Sequence, residues 1–193
     1  MSSNKNLHKA KKNQNDEFYT RITDIEKELK WYKDHFKGKV IYCNCDDPEK
    51  SDFWKHFEMK FDFYGLDRLV ATTYEEDKPA YKLELIRGGD GIEKVKTPLK
   101  GNGDFRSDEC IEILKGADVV VTNPPFSLFR EYIAQLIEYD KEFLVIGNKN
   151  ALTCKEIFKL IKEDKIWLGE NSGRGSMIFI KPDGSEPSIA SYW

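Results

Sequence analysis

Apolar runs alternate with segments of helical periodicity along most of the chain. Two runs, "VVVT" and "FLVIG", are apolar throughout, as is typical of strands that helices cover on both faces. The strand "KVIYCNC" is of the same kind, and helical segments separate it from the others. Alternation of strands and helices predicts parallel strands joined by right-handed crossovers. The pattern therefore predicts an α/β fold with a mostly parallel central sheet and helices on both faces.

Several predicted helices carry start and stop signals. Thr23 and Thr153 each stand three residues before a glutamate, which is the spacing of a capping box. Ser107 is placed to cap the short helix "DECIEILKG". Gly38 is placed to end the helix that begins near Thr23. Helices are therefore expected after each of these three caps.

The remaining strands are less regular. "YKLELIR" alternates apolar and polar positions, which predicts a half-exposed strand, and the following "GGDGIEKVKTPLKGNGD" reads as a loop. "KIWLGE", "SMIFIKP" and "IASYW" are strand-like segments at the end of the chain. "SMIFIKPDGSE" fits an antiparallel strand near the C-terminus.

Charge and composition narrow the class of protein. The 31 basic and 34 acidic residues leave a net charge of −3, which argues against a generally basic nucleic-acid binder and requires any phosphate contact to be local. Neither a membrane-span length of apolar residues nor a signal-peptide core is found, which predicts a cytoplasmic protein with no membrane partner. Residues 1–15 are polar and basic, a composition that predicts a flexible arm. This arm could be solvated or could contact nucleic acid. Residues 16–193 form one predicted domain.

The cysteines do not suggest a metal site. Cys43 and Cys45 form a C-x-C pair, but no second Cys/His pair stands at zinc-ligand spacing. Alternate residues of a strand point to one face, so both thiols are expected to be reduced and packed in the protein. We therefore predict no metal.

The segment "TNPPF" follows a buried strand and has two interpretations. Prolines remove backbone N–H groups, so the carbonyls stay free to accept hydrogen bonds. The side-chain oxygen of Asn123 and the carbonyl of Pro124 could accept both protons of an amino group, and Phe126 could stack on the ring that carries it. Pro125 stiffens the turn. The alternative is a proline-stiffened loop with asparagine as a turn residue.

This segment resembles a known catalytic motif. "VVVTNPPF" is similar to the motif of S-adenosylmethionine-dependent amino-methyltransferases, in which Asn/Asp-Pro-Pro-Tyr/Phe follows the fourth strand. With "NDEFYT", "YCNCDDP" and "GDFRSDEC" in matching order, most of the chain resembles the EcoRI-type adenine-specific DNA methyltransferases. The resemblance implies a Rossmann-like fold, S-adenosylmethionine as cofactor, DNA as partner, and an adenine flipped out of the duplex.

The resemblance also implies cofactor contacts near two strand ends. "DEFYT" matches the amino-terminal motif, so Phe18, Tyr19 and Thr20 would contact the methionine end of the cofactor; Phe18 could instead be a hydrophobic staple. "NCDDP" stands in place of a glycine-rich loop but contains no glycine. Asn44 and Asp46 are the expected contacts there, and Asp46 would pair with the cofactor's ammonium group.

Two further acids complete the implied cofactor site. Glu75, or its neighbour Glu76, stands where an acid accepts hydrogen bonds from both ribose hydroxyls. "GDF" matches the motif in which Asp104 accepts from the adenine amino group of the cofactor and Phe105 flanks that ring. As a bare tripeptide, "GDF" would be an ordinary turn.

The expected function is methyl transfer from S-adenosylmethionine to the amino group of adenine in DNA. The alternatives are methylation of a protein glutamine or an RNA base, or a non-catalytic cofactor- or DNA-binding module of this fold. Residues 169–177 form a glycine-rich segment that could approach a phosphate backbone or simply connect two strands. Arg130, which follows the tetrapeptide closely in the sequence, would lie near the groove expected to hold the DNA. A full target-recognition region is not evident, which predicts a fragment, a minimal enzyme or a partner subunit.

Overall fold

A six-stranded mixed sheet forms the centre of the molecule. The computed structural model describes residues 19–76, 79–172, 179–180 and 191–192, so the predicted arm of residues 1–15 lies outside the described residues. In chain order the strands are β1 Tyr19–Thr20, β2 Val40–Cys43, β3 Arg68–Thr72, β4 Tyr81–Gly88, β5 Gly91–Pro98, β6 Val119–Thr122, β7 Glu142–Val145, β8 Gly147–Asn148, β9 Phe179–Ile180 and β10 Ser191–Tyr192. The central sheet has the order β5-β4-β3-β2-β6-β7. Within it β3, β2, β6 and β7 are parallel to one another.

Helices cover both faces of this sheet. They are α1 Ile22–Leu29, α2 Asp52–Met59, α3 Phe61–Tyr64, α4 Asp108–Lys115, α5 Phe129–Glu138 and α6 Lys155–Lys162. Successive strand residues point to opposite faces. Ile41 and Val121 accordingly pack with α1, α2 and α3, whereas Tyr42 and Val120 pack with α4, α5 and α6. The predicted α/β fold with buried parallel strands is confirmed.

The helix starts differ in part from the prediction. Ser107 caps α4 by accepting a hydrogen bond from the N–H of Cys110, as expected, and Ser51 caps α2 in the same way. Both predicted capping boxes are wrong: α1 begins after Arg21 and α6 after Cys154, each without a side-chain cap. The hydroxyl of Thr153 instead donates to the carbonyl of Asn150. Thr-x-x-Glu spacing alone therefore did not locate the start of either helix.

The antiparallel part of the central sheet is larger than predicted. The segment read as a loop contains β5, an edge strand that pairs with β4 over eight residues. Its side chains are mostly exposed and three of the eight residues are charged, so it has no apolar alternation to reveal it. Lys94 and Lys96 instead form ion pairs with Glu58 and Glu49, at 2.6 and 2.9 Å. Backbone pairing forms this strand without an apolar face.

The end of the chain adds short antiparallel pairs outside the central sheet. β9 pairs with β1, which confirms an antiparallel strand near the C-terminus, and β10 pairs with β8. The strand predicted from "KIWLGE" is wrong, since residues 165–170 contain no strand. Within the described residues, no helix is long and apolar enough to cross a lipid bilayer.

A buried histidine should make the fold sensitive to acid. His56 is 2% exposed, its Nε2 atom lies 2.9 Å from the Tyr64 hydroxyl, and burial lowers the pKa of His56 to about 4. Because the folded protein holds His56 as a neutral imidazole, this residue contributes its full stabilisation above the unfolded-state pKa of about 6.5. That contribution is lost as the pH falls towards the pKa of the folded state. We expect the unfolding free energy to fall more steeply between those pH values in the wild type than in His56→Gln, as measured by urea denaturation.

The exposed His35 provides the control for this experiment. His35→Gln should keep the acid sensitivity of the wild type, because His35 is on the surface. Comparing variants cancels the contributions of the other titrating groups. Equal acid sensitivity in the wild type and His56→Gln would contradict a neutral buried imidazole.

Candidate active site

The predicted site residues collect at the carboxyl edge of the parallel strands. β2 lies between β3 and β6 in the sheet, so the turns after these three strands are neighbours. These turns carry the predicted residues Asn44, Asp46, Glu75 and Asn123. Open α/β sheets bind ligands at this edge. The structure therefore brings together residues up to about 80 positions apart in the sequence.

Asp46 joins the turn after β2 to the turn after β6. Its Oδ2 atom accepts hydrogen bonds from the hydroxyl of Thr122 and from the backbone N–H of Asn123, the latter at 3.2 Å. Its Oδ1 atom accepts from the hydroxyl of Ser51 at 3.1 Å. The backbone N–H of Cys45 in turn donates to the Thr122 hydroxyl. One carboxylate thus connects β2, α2 and β6.

The environment of Asp46 is unfavourable for a charge. The residue is 8% exposed, and burial raises the pKa of its carboxyl to about 6. The hydrogen bonds from Thr122, Asn123 and Ser51 oppose that rise, because they favour the ionised form. The cost of burial exceeds the benefit of the three hydrogen bonds. Asp46 therefore changes its charge near pH 6 rather than in the usual range for aspartate.

Asn44 lies beneath this turn in a buried polar network. Its Oδ1 atom accepts a hydrogen bond from the hydroxyl of Tyr132 on α5, and its backbone carbonyl accepts from the hydroxyl of Thr72 at 3.3 Å. Thr72 also lies 2.9 Å from the hydroxyl of Tyr42. The oxygen of Asn44 therefore already has a partner within the protein, and its predicted contact with the cofactor remains a prediction. Burial raises the pKa of Tyr42 and Tyr132 well above the usual value, so both phenols are neutral hydrogen-bonding groups.

The tetrapeptide at residues 123–126 is held firmly at the sheet edge. Asn123 is 9% exposed and Pro124 is buried, whereas Pro125 and Phe126 are half-buried. Phe126 packs against the core on the α1–α3 side and begins a short 3₁₀ segment, Phe126–Leu128, that leads into α5. The N–H of Leu128 donates to the Pro125 carbonyl at 3.0 Å. The segment is an ordered turn with a buried amide and a partly accessible aromatic ring.

The turn after β3 is joined to the loop that contains "GDF". Glu75 is half-buried, and its backbone N–H donates to the carbonyl of Asn102 at 2.8 Å, whereas Glu76 is exposed. Gly103 approaches so closely that a Cβ atom built on it would lie 1.8 Å from the carbonyl oxygen of Thr73. Gly103 also has a φ of 78°, which favours glycine. The glycine therefore allows the two loops to meet.

Asp104 and Phe105 already have partners within the protein. The guanidinium of Arg106 donates to both carboxylate oxygens of Asp104, at 2.9 and 2.6 Å, and this pairing lowers the pKa of Asp104. Arg106 also contacts Glu131 on α5 at 3.4 Å. Phe105 is 6% exposed and packs edge-on against Tyr132, with ring centroids 5.1 Å apart. The predicted contacts of both residues with the cofactor remain predictions.

The amino-terminal motif is only partly described. Phe18 lies outside the described residues, and Tyr19 is described only by its backbone pairing with Ile180. Thr20 is 3% exposed, and its hydroxyl has no hydrogen-bond partner among the residues that the structure describes. A buried hydroxyl without a partner is costly in a native protein. Thr20 is therefore well suited to bind a ligand.

The sequence did not reveal the residues that hold these turns in place. Ser51, Thr122, Tyr132 and Arg106 all bond to predicted site residues. Only Thr122 carried a signal, since it ends the strand that leads into the tetrapeptide. Ser51 and Arg106 bond to near neighbours in the sequence, but nothing in the sequence pattern singled them out. The contact of Tyr132 with Asn44 joins residues 88 positions apart.

Two further predicted features lie around this edge. Arg130 is exposed on α5, one helical turn after the tetrapeptide. The start of the glycine-rich segment is anchored by Glu28, a fully buried carboxylate that accepts from the backbone N–H groups of Glu170 and Asn171. Residues 173–178 lie outside the described residues. The four thiols are free, and the described residues contain no cluster of His, Cys, Asp or Glu that could hold a metal.

The family model and the curated proteins that match this chain are all methyltransferases. The family model described as adenine-specific methyltransferase EcoRI matches residues 6–193. The Type II methyltransferase M.EcoRI of Escherichia coli is 52% identical over 199 residues, covering 96% of this chain and 61% of that protein. The Type II methyltransferase M.MpnI of Mycoplasma pneumoniae is 45% identical over 173 residues, covering 90% and 53%.

A third relative gives the same picture. The Type II methyltransferase M.MgeORF184P of Mycoplasma genitalium is 44% identical over 163 residues, which cover 84% of this chain and 50% of that protein. The chain thus spans half to about three fifths of the length of these curated relatives. No solved structure matches the chain.

Proposed function

Because the chain belongs to the EcoRI family of adenine-specific methyltransferases, we propose that it methylates the exocyclic amino group of adenine in DNA, with S-adenosylmethionine as methyl donor. The observation that supports this best is the ordered turn at residues 123–126. It follows the buried strand β6 at the ligand-binding edge of the sheet, and Asp46 holds its first residue. This turn carries an amide oxygen, a proline carbonyl and an aromatic ring within four residues, which supports the proposal.

The residues of this turn can hold an amino group in the orientation for attack. The Asn123 side-chain oxygen and the Pro124 carbonyl accept the two amino protons, and Phe126 stacks on the ring of a flipped base. Those hydrogen bonds become stronger as positive charge develops on the nitrogen, so they stabilise the transition state more than the ground state. Displacement at a methyl group requires alignment more than proton removal. We therefore assign no general base.

The residues at the sheet edge fit S-adenosylmethionine. When bound, this cofactor supplies an electrophilic methyl group on a positively charged sulfur. The hydroxyl of Thr20, which has no hydrogen-bond partner within the described part of the chain, is suited to the methionine end, and the half-buried Glu75 is suited to the ribose. From the resemblance of the amino-terminal motif, we extend the proposed contact with the methionine end to Phe18 and Tyr19. Asn44, Asp104 and Phe105 are proposed to line the same site. For Asp104, binding of the cofactor's amino group would have to replace part of its pairing with Arg106.

Labelled methyl transfer tests the proposal directly. The protein is incubated with S-adenosylmethionine that carries a tritiated methyl group, and with mixed-sequence DNA, RNA or bulk protein as acceptor. We expect label in DNA, and nuclease digestion should recover it as N6-methyladenine. Label in protein or RNA alone would overturn the choice of substrate, and cofactor binding without turnover on any acceptor would indicate a non-catalytic module. Base-resolved mapping of the methylated DNA then shows whether the modified adenines share a sequence.

A further inference from the structure

The N–H of Asn123 lies where the pairing between β2 and β6 has ended. The two strands pair at Ile41 with Val119 and at Tyr42 with Val120. Beyond that point the chain continues as Val121, Thr122 and Asn123, and a buried N–H without an acceptor would be costly. Asp46 supplies that acceptor from the turn after β2. Its carboxylate therefore continues the connection between the two strands after the backbone ladder has stopped.

We infer that Asp46 is a positioning residue that fixes Asn123 for methyl transfer, an inference that rests on the proposed function of the turn at residues 123–126. The same Oδ2 atom binds the Asn123 N–H and the hydroxyl of Thr122. These two bonds hold the side chain of Thr122 and the N–H of the peptide that joins Thr122 to Asn123. The position of the amide acceptor is then determined by the turn after β2.

A second anchor holds Asp46 itself. The hydroxyl of Ser51 donates to Oδ1 of Asp46 and accepts from the N–H of Phe53, where it caps α2. Asp46 is therefore held between the first turn of α2 and the end of β6. Both oxygens of its carboxylate already accept hydrogen bonds from protein groups. This arrangement favours a positioning role over the predicted pairing with the cofactor's ammonium group.

Protonation of Asp46 gives this role a signature in the pH dependence of the reaction. The titratable groups that face its carboxylate are Asp47 in the same turn, Cys43 and Cys45 beside it and Tyr132 from α5. Burial raises the pKa of both thiols and of the phenol, so these three stay neutral while Asp46 titrates. Below a pH of about 6 the carboxyl gains a proton and loses part of its capacity as an acceptor.

Two substitutions separate positioning from cofactor binding. Asp46→Asn keeps an oxygen acceptor for the Asn123 N–H and removes the charge, whereas Asp46→Ala removes the acceptor. We expect Asp46→Ala to lower kcat about 10- to 100-fold, with the dissociation constant for S-adenosylmethionine changed less than about threefold. Asp46→Asn should retain more activity than Asp46→Ala, and the fall in kcat below about pH 6 should flatten. Asp47→Asn, at the neighbouring carboxylate, is the matched control and should keep the wild-type kcat at pH 8.

A readout that needs no turnover makes the test decisive. In ¹⁵N-labelled wild-type protein, the amide signal of Asn123 should titrate with an apparent pKa near 6, and the titration should vanish in Asp46→Asn. Amide exchange at Asn123 should accelerate in Asp46→Ala. The inference is overturned if the titration of the Asn123 amide signal is unchanged in Asp46→Asn and its exchange rate is unchanged in Asp46→Ala. It is also overturned if both substitutions raise the cofactor dissociation constant at least about tenfold with kcat unchanged. A wild type that methylates no DNA would refute the proposed function, while the amide titration still decides the role of Asp46.

Discussion

Asn123→Ala should lower the rate of methyl transfer to DNA about 100- to 1000-fold, which is the usual cost of removing one preorganised hydrogen-bonding group from a transition state. The substitution removes the side-chain oxygen and leaves the backbone N–H that Asp46 binds. The turn should therefore keep its position. Single-turnover kinetics with saturating cofactor and DNA measures the chemical step, and calorimetry measures the affinity for S-adenosylmethionine, which should be unchanged.

Two comparisons show whether the effect is specific to the acceptor. Asn123→Asp keeps an acceptor oxygen and should retain more activity than Asn123→Ala. Asn150→Ala makes the same substitution at an exposed asparagine and should react at the wild-type rate. An Asn123→Ala variant with full activity would mean that the turn at residues 123–126 is structural.

Gly103→Ala should lower the free energy of unfolding by about 2 to 5 kcal/mol. A positive φ costs a non-glycine residue about 1–2 kcal/mol, and forcing extra volume into a packed site costs about 1–3 kcal/mol more. The new methyl group would lie 1.8 Å from the Thr73 carbonyl oxygen and 2.9 Å from the Ala80 side chain. Because the first of these atoms belongs to the backbone, the two loops would have to separate. Urea denaturation at neutral pH measures the loss.

Gly101 provides a matched control in the same loop. A Cβ atom there would have no neighbour within 4 Å, and the residue has no positive φ. Gly101→Ala should change the unfolding free energy by less than about 0.5 kcal/mol. Equal stability of the two variants would show that the loop adjusts without cost. A Gly103→Ala protein that remains folded should also bind the cofactor more weakly, since the turn that carries Glu75 would have moved.

Periodicity predicted the elements whose stability comes from apolar burial. The strands "VIYC" and "VVVT" became β2 and β6, and the helices on both faces followed from the same pattern. It missed β5, which has charged side chains on its exposed surface and is held by backbone pairing with β4. It also predicted a strand at residues 165–170, where apolar side chains such as Trp167 remain exposed. Apolar pattern therefore located buried strands better than edge strands.

The location of the candidate site in the fold could be predicted from the sequence, but the hydrogen bonds and ion pairs within it could not. Parallel strands end at one edge, so residues that follow β2, β3 and β6 had to be neighbours. The bond between Asp46 and the Asn123 N–H joins two turns whose relative height depends on the packing of several elements. The pairing of Asp104 with Arg106 is local in sequence, yet many other arrangements of two such neighbours are compatible with the same letters. The candidate residues could be identified from the sequence, whereas their hydrogen-bond and ion-pair partners depend on tertiary packing.

The short pair of β1 and β9 has a consequence for the order of folding. It joins residues about 160 positions apart, and closing a chain loop of that length costs roughly 4–5 kcal/mol of entropy. Two residues on each side cannot offset this cost before the central sheet has brought the ends together. The pair should therefore form late, after β2, β3 and β6 have assembled. Thr20 would reach its place only in that last step, so affinity for the methionine end of the cofactor should be the last property to return during refolding.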